Sequence, residues 1–456
     1  MRWAVLPLLL AGCPYTAPSN NVPSDGPIDI TIVPDVLPDP ELCTDDTSSM
    51  CIGNVLRECE TVGELPVTTP CAICTGAPAH CEELVPSADA ATTADLAPNG
   101  LIIDTAIAAA AIANTEDGSI SGVRPQGEGV INGIGYRRTN GAGIWTFHEL
   151  AINASINFEG NRAAVFAANR SIVVNAVLDV RGPCSVLEPS PGGGSGGVPE
   201  QDGSGPGKGI RGAGATNDAS GASGAGHGVA GSGGGASVTQ TATTGGTMHG
   251  NPEITQLRGG SGGGGGGGEM FSAGTGGAGG GALQLVANDA ITFNSAGGVN
   301  AGGCGADRNL LHDAAGGGGG AGGTILLESS AVTINAGAVL AVNGGGGGGG
   351  DSAGQGGQNG QLSRTAATGG NGTGSGIGST GGKGGAGGAP PMFSGTAGDS
   401  GTATLNAGGG GGAIGRIRIN TRDNAMLTGD CATCSPNFAD AATTATRGAA
   451  TIQVVP

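Results

Sequence analysis

This chain of 456 residues is poor in the side chains that most proteins work with: charged residues make up 12% of it and aromatics 2%. An ordinary globular domain carries about 25% charged residues. Lysine is nearly missing, with Lys208 and Lys383 its two copies. Lysine and arginine together number 18 against 36 acidic residues, for a formal net charge of −18. Nucleic-acid binding is excluded on that ground, because phosphate contacts need clustered Lys and Arg. What the chain has instead is glycine, 100 residues of it. Collagen is excluded too, since the glycines keep no strict Gly-X-Y phase and proline numbers 24. Glycine buries no apolar side chain, so the usable core must be much smaller than the length suggests.

The N-terminus is predicted to be an address. Arg2 is followed by an apolar run from Trp3 to Leu10 and the small residues Ala11 and Gly12. Such a run is a secretory signal and is too short to span a bilayer, which takes ~20 apolar residues. Leu10-Ala11-Gly12-Cys13 resembles the bacterial lipobox, which implies a signal peptide over 1–12, cleavage before Cys13 and acylation of Cys13. Several acyl chains, at ~0.8 kcal/mol per buried CH2, would hold the mature chain on a membrane. Pro14 follows the cysteine, which favours an outer-membrane or cell-surface destination. Residues 13–42, rich in Pro and Asp, cannot bury enough surface to order themselves and read as a tether.

Six cysteines then crowd one stretch, residues 43–82: Cys43, Cys51, Cys59, Cys71, Cys74 and Cys81. In an exported chain an even cluster predicts three disulfides in a small loop-rich module, with 15 connectivities open. Cys71-x-x-Cys74 and Cys431-x-x-Cys434 also have zinc-ligand spacing. Export, and the lack of a matching second pair inside the module, favour disulfides, so no metal or cofactor is expected. The expected pairings of the other four are Cys431 with Cys434 and Cys184 with Cys304.

Beneath the glycine lies a repeat, apolar-x-apolar-Asn, ending at Asn153, Asn175, Asn294, Asn335 and Asn420. An apolar strand precedes most copies and a third short strand follows. The first two asparagines are 22 residues apart, the length of one three-strand turn of a right-handed parallel β-helix. The later intervals of 119, 41 and 85 residues exceed this by surpluses that match three glycine-rich tracts. The expected fold is therefore all-β: an interrupted right-handed parallel β-helix of about five turns, preceded by the disulfide module. A linker and N-terminal cap occupy 83–142, the turns 143–425 and a C-terminal cap 426–456. The insertions, 183–281, 302–323 and 344–412, all leave after a third strand and return before a first, so they emerge from one corner. Apolar residues of each strand point inward and the residue between them outward. Asparagine ends the strand where left-handed backbone is tolerated, and the five are expected to hydrogen-bond as a ladder. The insertions themselves are either solvated and mobile or packed as extended polyglycine strands bonded backbone to backbone.

Chemistry is sparse. Glycine this dense produces spurious matches to GxGxxG, and GxSxG around Ser195 and Ser261 lacks the strand-turn-helix context of a nucleophile elbow. The sharper enzymatic reading is a β-helical polysaccharide lyase or hydrolase, which needs carboxylates converging on one outer face. The outward positions of the repeat, Ala151, Val173, Thr292, Thr333 and Arg418, offer no acid. Trp145 and Phe147 are expected to close the end of the core.

Together the lipobox, acidic tether, cysteine module and phrases such as Gly280-Gly-Ala-Leu-Gln-Leu-Val286, Gly322-Gly-Thr-Ile-Leu-Leu-Glu328 and Gly412-Ala-Ile-Gly-Arg-Ile-Arg-Ile-Asn420 resemble the glycine-rich (PGRS-like) surface lipoproteins of myxobacteria and related bacteria. The resemblance implies an address and an architecture but no reaction. The expectation is a non-catalytic, lipid-anchored surface protein, structural or adhesive, with no catalytic residues and the glycine-rich loops as contact surface. Its partners would be the membrane and surface polysaccharide or extracellular matrix; the alternative is the carbohydrate-active enzyme.

Overall fold

A computed structural model describes residues 42–43, 48–97, 101, 103–184, 188–215, 217–268, 273–307, 314–351, 354–373, 381–402, 405–424, 426–429, 431–440 and 444–455. The signal, Cys13 and all but the end of the tether lie outside the described residues. The described structure is nearly all β, with one four-residue helix among those residues, Thr93–Leu96. No helix among them is long and apolar enough to cross a membrane.

Three ladders of parallel strands carry the core. The first runs through Ala142–Phe147, Ala163–Ala168, Ala282–Phe293, Thr324–Ile334, Arg416–Thr421 and Ala445–Ala449. The second runs through Thr105–Ile107, Leu150–Ile152, Ser171–Val174, the distal halves of Ala282–Phe293 and Thr324–Ile334, and Leu427–Thr428. The third holds Ala111–Asn114, Ile156–Glu159, Val177–Asp179, Gly298–Asn300 and Val339–Ala341, extended by a bridge from Ala341 to Ser435. Each strand sends alternate residues inward, so apolar columns form: Trp145, Phe166, Leu285, Leu327 and Ile419 in the first ladder. Ile107, Ile152, Val174, Phe293 and Ile334 do the same in the second. All ten belong to one buried cluster. Trp145 and Phe147 lie within it, both edge-on to Phe166 at 5.4 and 5.3 Å between ring centroids.

Two boundaries differ from the sequence expectation. Thr105–Ile107 and Ala111–Asn114, placed there in a linker and cap, are strands of the second and third ladders. Their level escaped the motif because Ala108 stands at the corner position opposite Asn153. Residues 426–456, expected to cap the far end, contribute to all three ladders. Their last strand, Thr451–Val455, instead pairs antiparallel with His80–Val85.

That pairing docks the cysteine module on the ladders. The module's cysteines pair Cys43–Cys59, Cys51–Cys74 and Cys71–Cys81. Side-chain bonds join the module to the first ladder: Asn54 donates to Asp289, Arg422 to Glu82 at 2.6 Å, and the Leu84 amide to Asn288. Leu84 and Leu96 pack with Ile144, Val165, Val286 and Leu326 on the outer face of that ladder. The first ladder is thus buried on both faces, as parallel sheets usually are.

The glycine-rich insertions form a second body, held together by backbone bonds. Residues 314–323 sit at its centre with six neighbouring segments. Their amides donate to three of these: Gly316, Gly319 and Gly322 to Ala407, Gly410 and Ala413; Gly318 and Ala321 to Gly264 and Ser261; Gly320 and Gly323 to Cys304 and Ala301. Their carbonyls accept from three more: Ala222 and Ala225, Gly348 and Gly345, and Gly277 and Gly280. These bonds measure 2.7–3.1 Å. Each partner recurs every third residue, the period of the polyproline II helix. All three insertions contribute, so these described segments of the surplus are packed and bonded. Glycine is required by distance: a Cβ on Gly318 would lie 1.9 Å from the Ser223 carbonyl oxygen, and one on Gly412 2.0 Å from that of Gly320. The disulfide Cys184–Cys304 ties the first insertion to the second across 120 residues, and Cys431–Cys434 closes a turn beside the third ladder.

Candidate functional site

Four of the five corner asparagines form one chain of side-chain hydrogen bonds. Asn175 donates to Asn153 at 2.7 Å, Asn294 to Asn175 at 2.6 Å and Asn335 to Asn294 at 2.9 Å. Asn420 is not part of it, a correction to the sequence reading. Its strand, Arg416–Thr421, lies in the first ladder opposite Thr324–Ser329, so Asn420 faces Glu328 and donates to its carboxylate at 2.9 Å. The register follows from the glycine body, where the Arg416 amide bonds the Gly323 carbonyl. The outward column changes accordingly: Thr428, not Arg418, stands beside Thr333.

Carboxylates gather at one shallow cavity of about 310 Å³, lined by Glu116, Asp117 and Glu128. Each is committed. Glu116 accepts from the Asn161 amide and from Arg162 at 3.0 Å, Glu128 from Arg138 at 2.8 Å, and Asp117 from Ser119. A second cavity, about 520 Å³, lies between residues 139–142 and the 257–258 segment. Its acid, Asp89, accepts the Leu257 amide. No cluster of three His, Cys, Asp or Glu suited to a metal ion occurs among the described residues.

A third cavity has the opposite character. Its volume is about 230 Å³, and its walls include Arg416, Arg258, His227, His249 and Thr324 with no acidic residue. Arg416 and Thr324 are adjacent in the first ladder, on its outer face; His227 and His249 come from the first insertion. The imidazoles stack at 4.5 Å between centroids, 16° from parallel. His227 Nδ1 faces the Gly322 carbonyl at 2.7 Å and so carries the proton. His249 Nε2 faces Ser261 Oγ at 3.0 Å. Burial, then neighbouring positive charge, pulls the His249 pKa down to about 4. His227 is lowered well below its ordinary value, by burial first and His249 second. Both rings are therefore neutral at pH 7. The Ser261–His249 contact looks like the start of a nucleophilic dyad, but Ser261 is fully buried within the glycine body, where its Oγ also accepts the Gly207 amide. Its hydroxyl is closed off from solvent. Sequence reasoning missed this cavity, because His227, His249 and Arg416 are brought together by glycine segments that carry no periodic signal.

No known protein family, curated protein or solved structure matches the chain.

Proposed function

We propose that the chain is a non-catalytic, lipid-anchored surface protein, structural or adhesive, of the glycine-rich surface lipoprotein kind. In this reading the three ladders are turns of an interrupted right-handed parallel β-helix, the handedness that parallel crossovers overwhelmingly adopt. Cys13 carries the acyl anchor, and the glycine body projects from one corner as the surface that meets polysaccharide or matrix. The observation that carries it is the packing of 314–323 among six backbone-bonded neighbours. A body so bonded presents a stiff outer surface without needing bulky side chains. Five disulfides fit an exported protein exposed to oxidising conditions.

The enzymatic alternative would rest on Glu116, Asp117 and Glu128, since glycoside hydrolysis needs a free acid and a free base flanking the bond. Their commitment to Arg162, Ser119 and Arg138 favours the non-catalytic reading. Two measurements test it. Metabolic labelling with a fatty-acid analogue should tag the chain and fail on Cys13→Ser. Incubation with surface polysaccharide should retain the protein without releasing shorter products; product release that Glu116→Gln abolishes would overturn the proposal.

A further inference from the structure

The cavity beneath Arg258 holds an imbalance that the surface-protein reading does not use. Arg416 is 3% exposed. Its Nε and Nη2 point to backbone carbonyls of His249 and Gly250 at 3.2–3.4 Å. Its Nη1 is buried with no hydrogen-bond partner among the described residues. No carboxylate forms an ion pair with it among the described residues, and the acid acting on it, Glu253, is exposed. A buried cation is normally paired, because taking it out of water is costly. Here the strand register sets the position: Arg416 pairs with Thr324, and with Ile417 turned into the core its side chain leaves the outer face of the first ladder.

The rest of the cavity adds to the imbalance. Arg258 is an exposed residue lining it, so a second guanidinium is available from the solvent side. The Thr324 hydroxyl is used, donating to the Arg258 carbonyl. Two guanidinium groups, walled by two neutral imidazoles, thus face a space of about 230 Å³ in a chain whose net charge is −18. Elsewhere on so acidic a protein an anion is repelled; here the local field attracts it. The space exceeds several waters, at ~30 Å³ each, and suits one small charged group.

We propose that this cavity binds an oxyanion, the carboxylate, phosphate or sulfate group of a small ligand or of a polymer chain end, between Arg416 and Arg258. Arg416 supplies the buried charge that the anion neutralises, and Arg258 closes over it from the solvent side. His227 and His249 wall the site without contributing charge at pH 7, and its volume of about 230 Å³ restricts it to a compact group. The proposal stands whether or not the chain is acylated at Cys13 and whether or not its glycine body meets polysaccharide or matrix.

The test is isothermal titration of the intact disulfide-bonded chain, at pH 7 in low chloride, with inorganic phosphate, sulfate and glucuronate. At least one should bind saturably, one per chain. Preference for glucuronate assigns a carboxylate ligand, and preference for phosphate or sulfate a tetrahedral one. Arg258→Ala, an exposed substitution that leaves the fold intact, should weaken binding tenfold or more. Arg416→Gln should abolish it, with circular dichroism checking that the variant folds. Arg211→Ala removes the same charge from an exposed position outside the cavity and should bind as the parent does. No saturable binding of any of the three anions up to tens of millimolar would overturn the proposal. So would equal weakening by Arg211→Ala and Arg258→Ala, which would reduce the effect to overall charge.

Discussion

Asn294 donates its side-chain amide to Asn175 across 119 residues of sequence, at 2.6 Å, and accepts in turn from Asn335. An interior member of this ladder loses two hydrogen bonds when truncated and the end member Asn153 loses one. A net hydrogen bond contributes about 0.5–1.5 kcal/mol. Asn294→Ala should therefore cost about twice what Asn153→Ala costs, roughly 2 against 1 kcal/mol. Equal costs in thermal unfolding, with disulfides kept intact, would show that the ladder is incidental.

How much of this was legible in the sequence depends on which force sets each position. The alternation in Ile172-Val-Val and Val332-Thr-Ile reports inward and outward faces directly, because strand period and burial are local. Asn420 carries the same local pattern and was misplaced, because its register is set by a distant contact, the Arg416 amide on the Gly323 carbonyl. The glycine body has a period of three in its bonds but none in its letters, since glycine at every position leaves no phase to read. The Arg416 cavity was invisible for the same reason: its walls come from residues 227, 249, 258, 324 and 416.

The glycine body makes a sharp prediction about single methyl groups. Gly318→Ala would drive a Cβ against the Ser223 carbonyl, where neither chain can give way cheaply. Overpacking of this kind costs about 1–3 kcal/mol. Gly141, with nothing within 4 Å of the added Cβ and no positive φ, should tolerate alanine without loss. Amide exchange provides a second readout: Gly263, Gly277 and Gly318, each bonded to another segment, should exchange slowly. Fast exchange at all three would be incompatible with the packed body.

The Cys184–Cys304 disulfide should matter more to stability than Cys431–Cys434. It closes a loop of 120 residues, and the entropy model gives about 4.7 kcal/mol for a 100-residue loop. The other bond spans three residues and constrains an unfolded chain far less. Replacing Cys184 and Cys304 together by serine should lower the denaturation midpoint well beyond what Cys431→Ser with Cys434→Ser does. Peptide mapping without reductant checks that both bonds form in the parent.

Acid should weaken the fold across a window set by His249. Its pKa falls from 6.5 to about 4, chiefly through burial and then through Arg416 and Arg258. Between those values the unfolded chain holds a proton that the folded chain does not, so stability is full above pH 6.5 and declines as pH drops toward 4. The difference corresponds to at most about 3 kcal/mol for this one group. His227, buried against it, pulls in the same direction. Unfolding midpoints should therefore be level between pH 7 and 8 and fall steadily below 6.5. His249→Gln keeps a polar group beside Ser261 but cannot titrate, so its stability should decline less over the same range. An identical decline in parent and variant would remove His249 as the cause. An anion bound between Arg416 and Arg258 offsets the positive charge that helps hold the His249 pKa down, so saturating anion should raise that pKa and make the decline below pH 6.5 shallower.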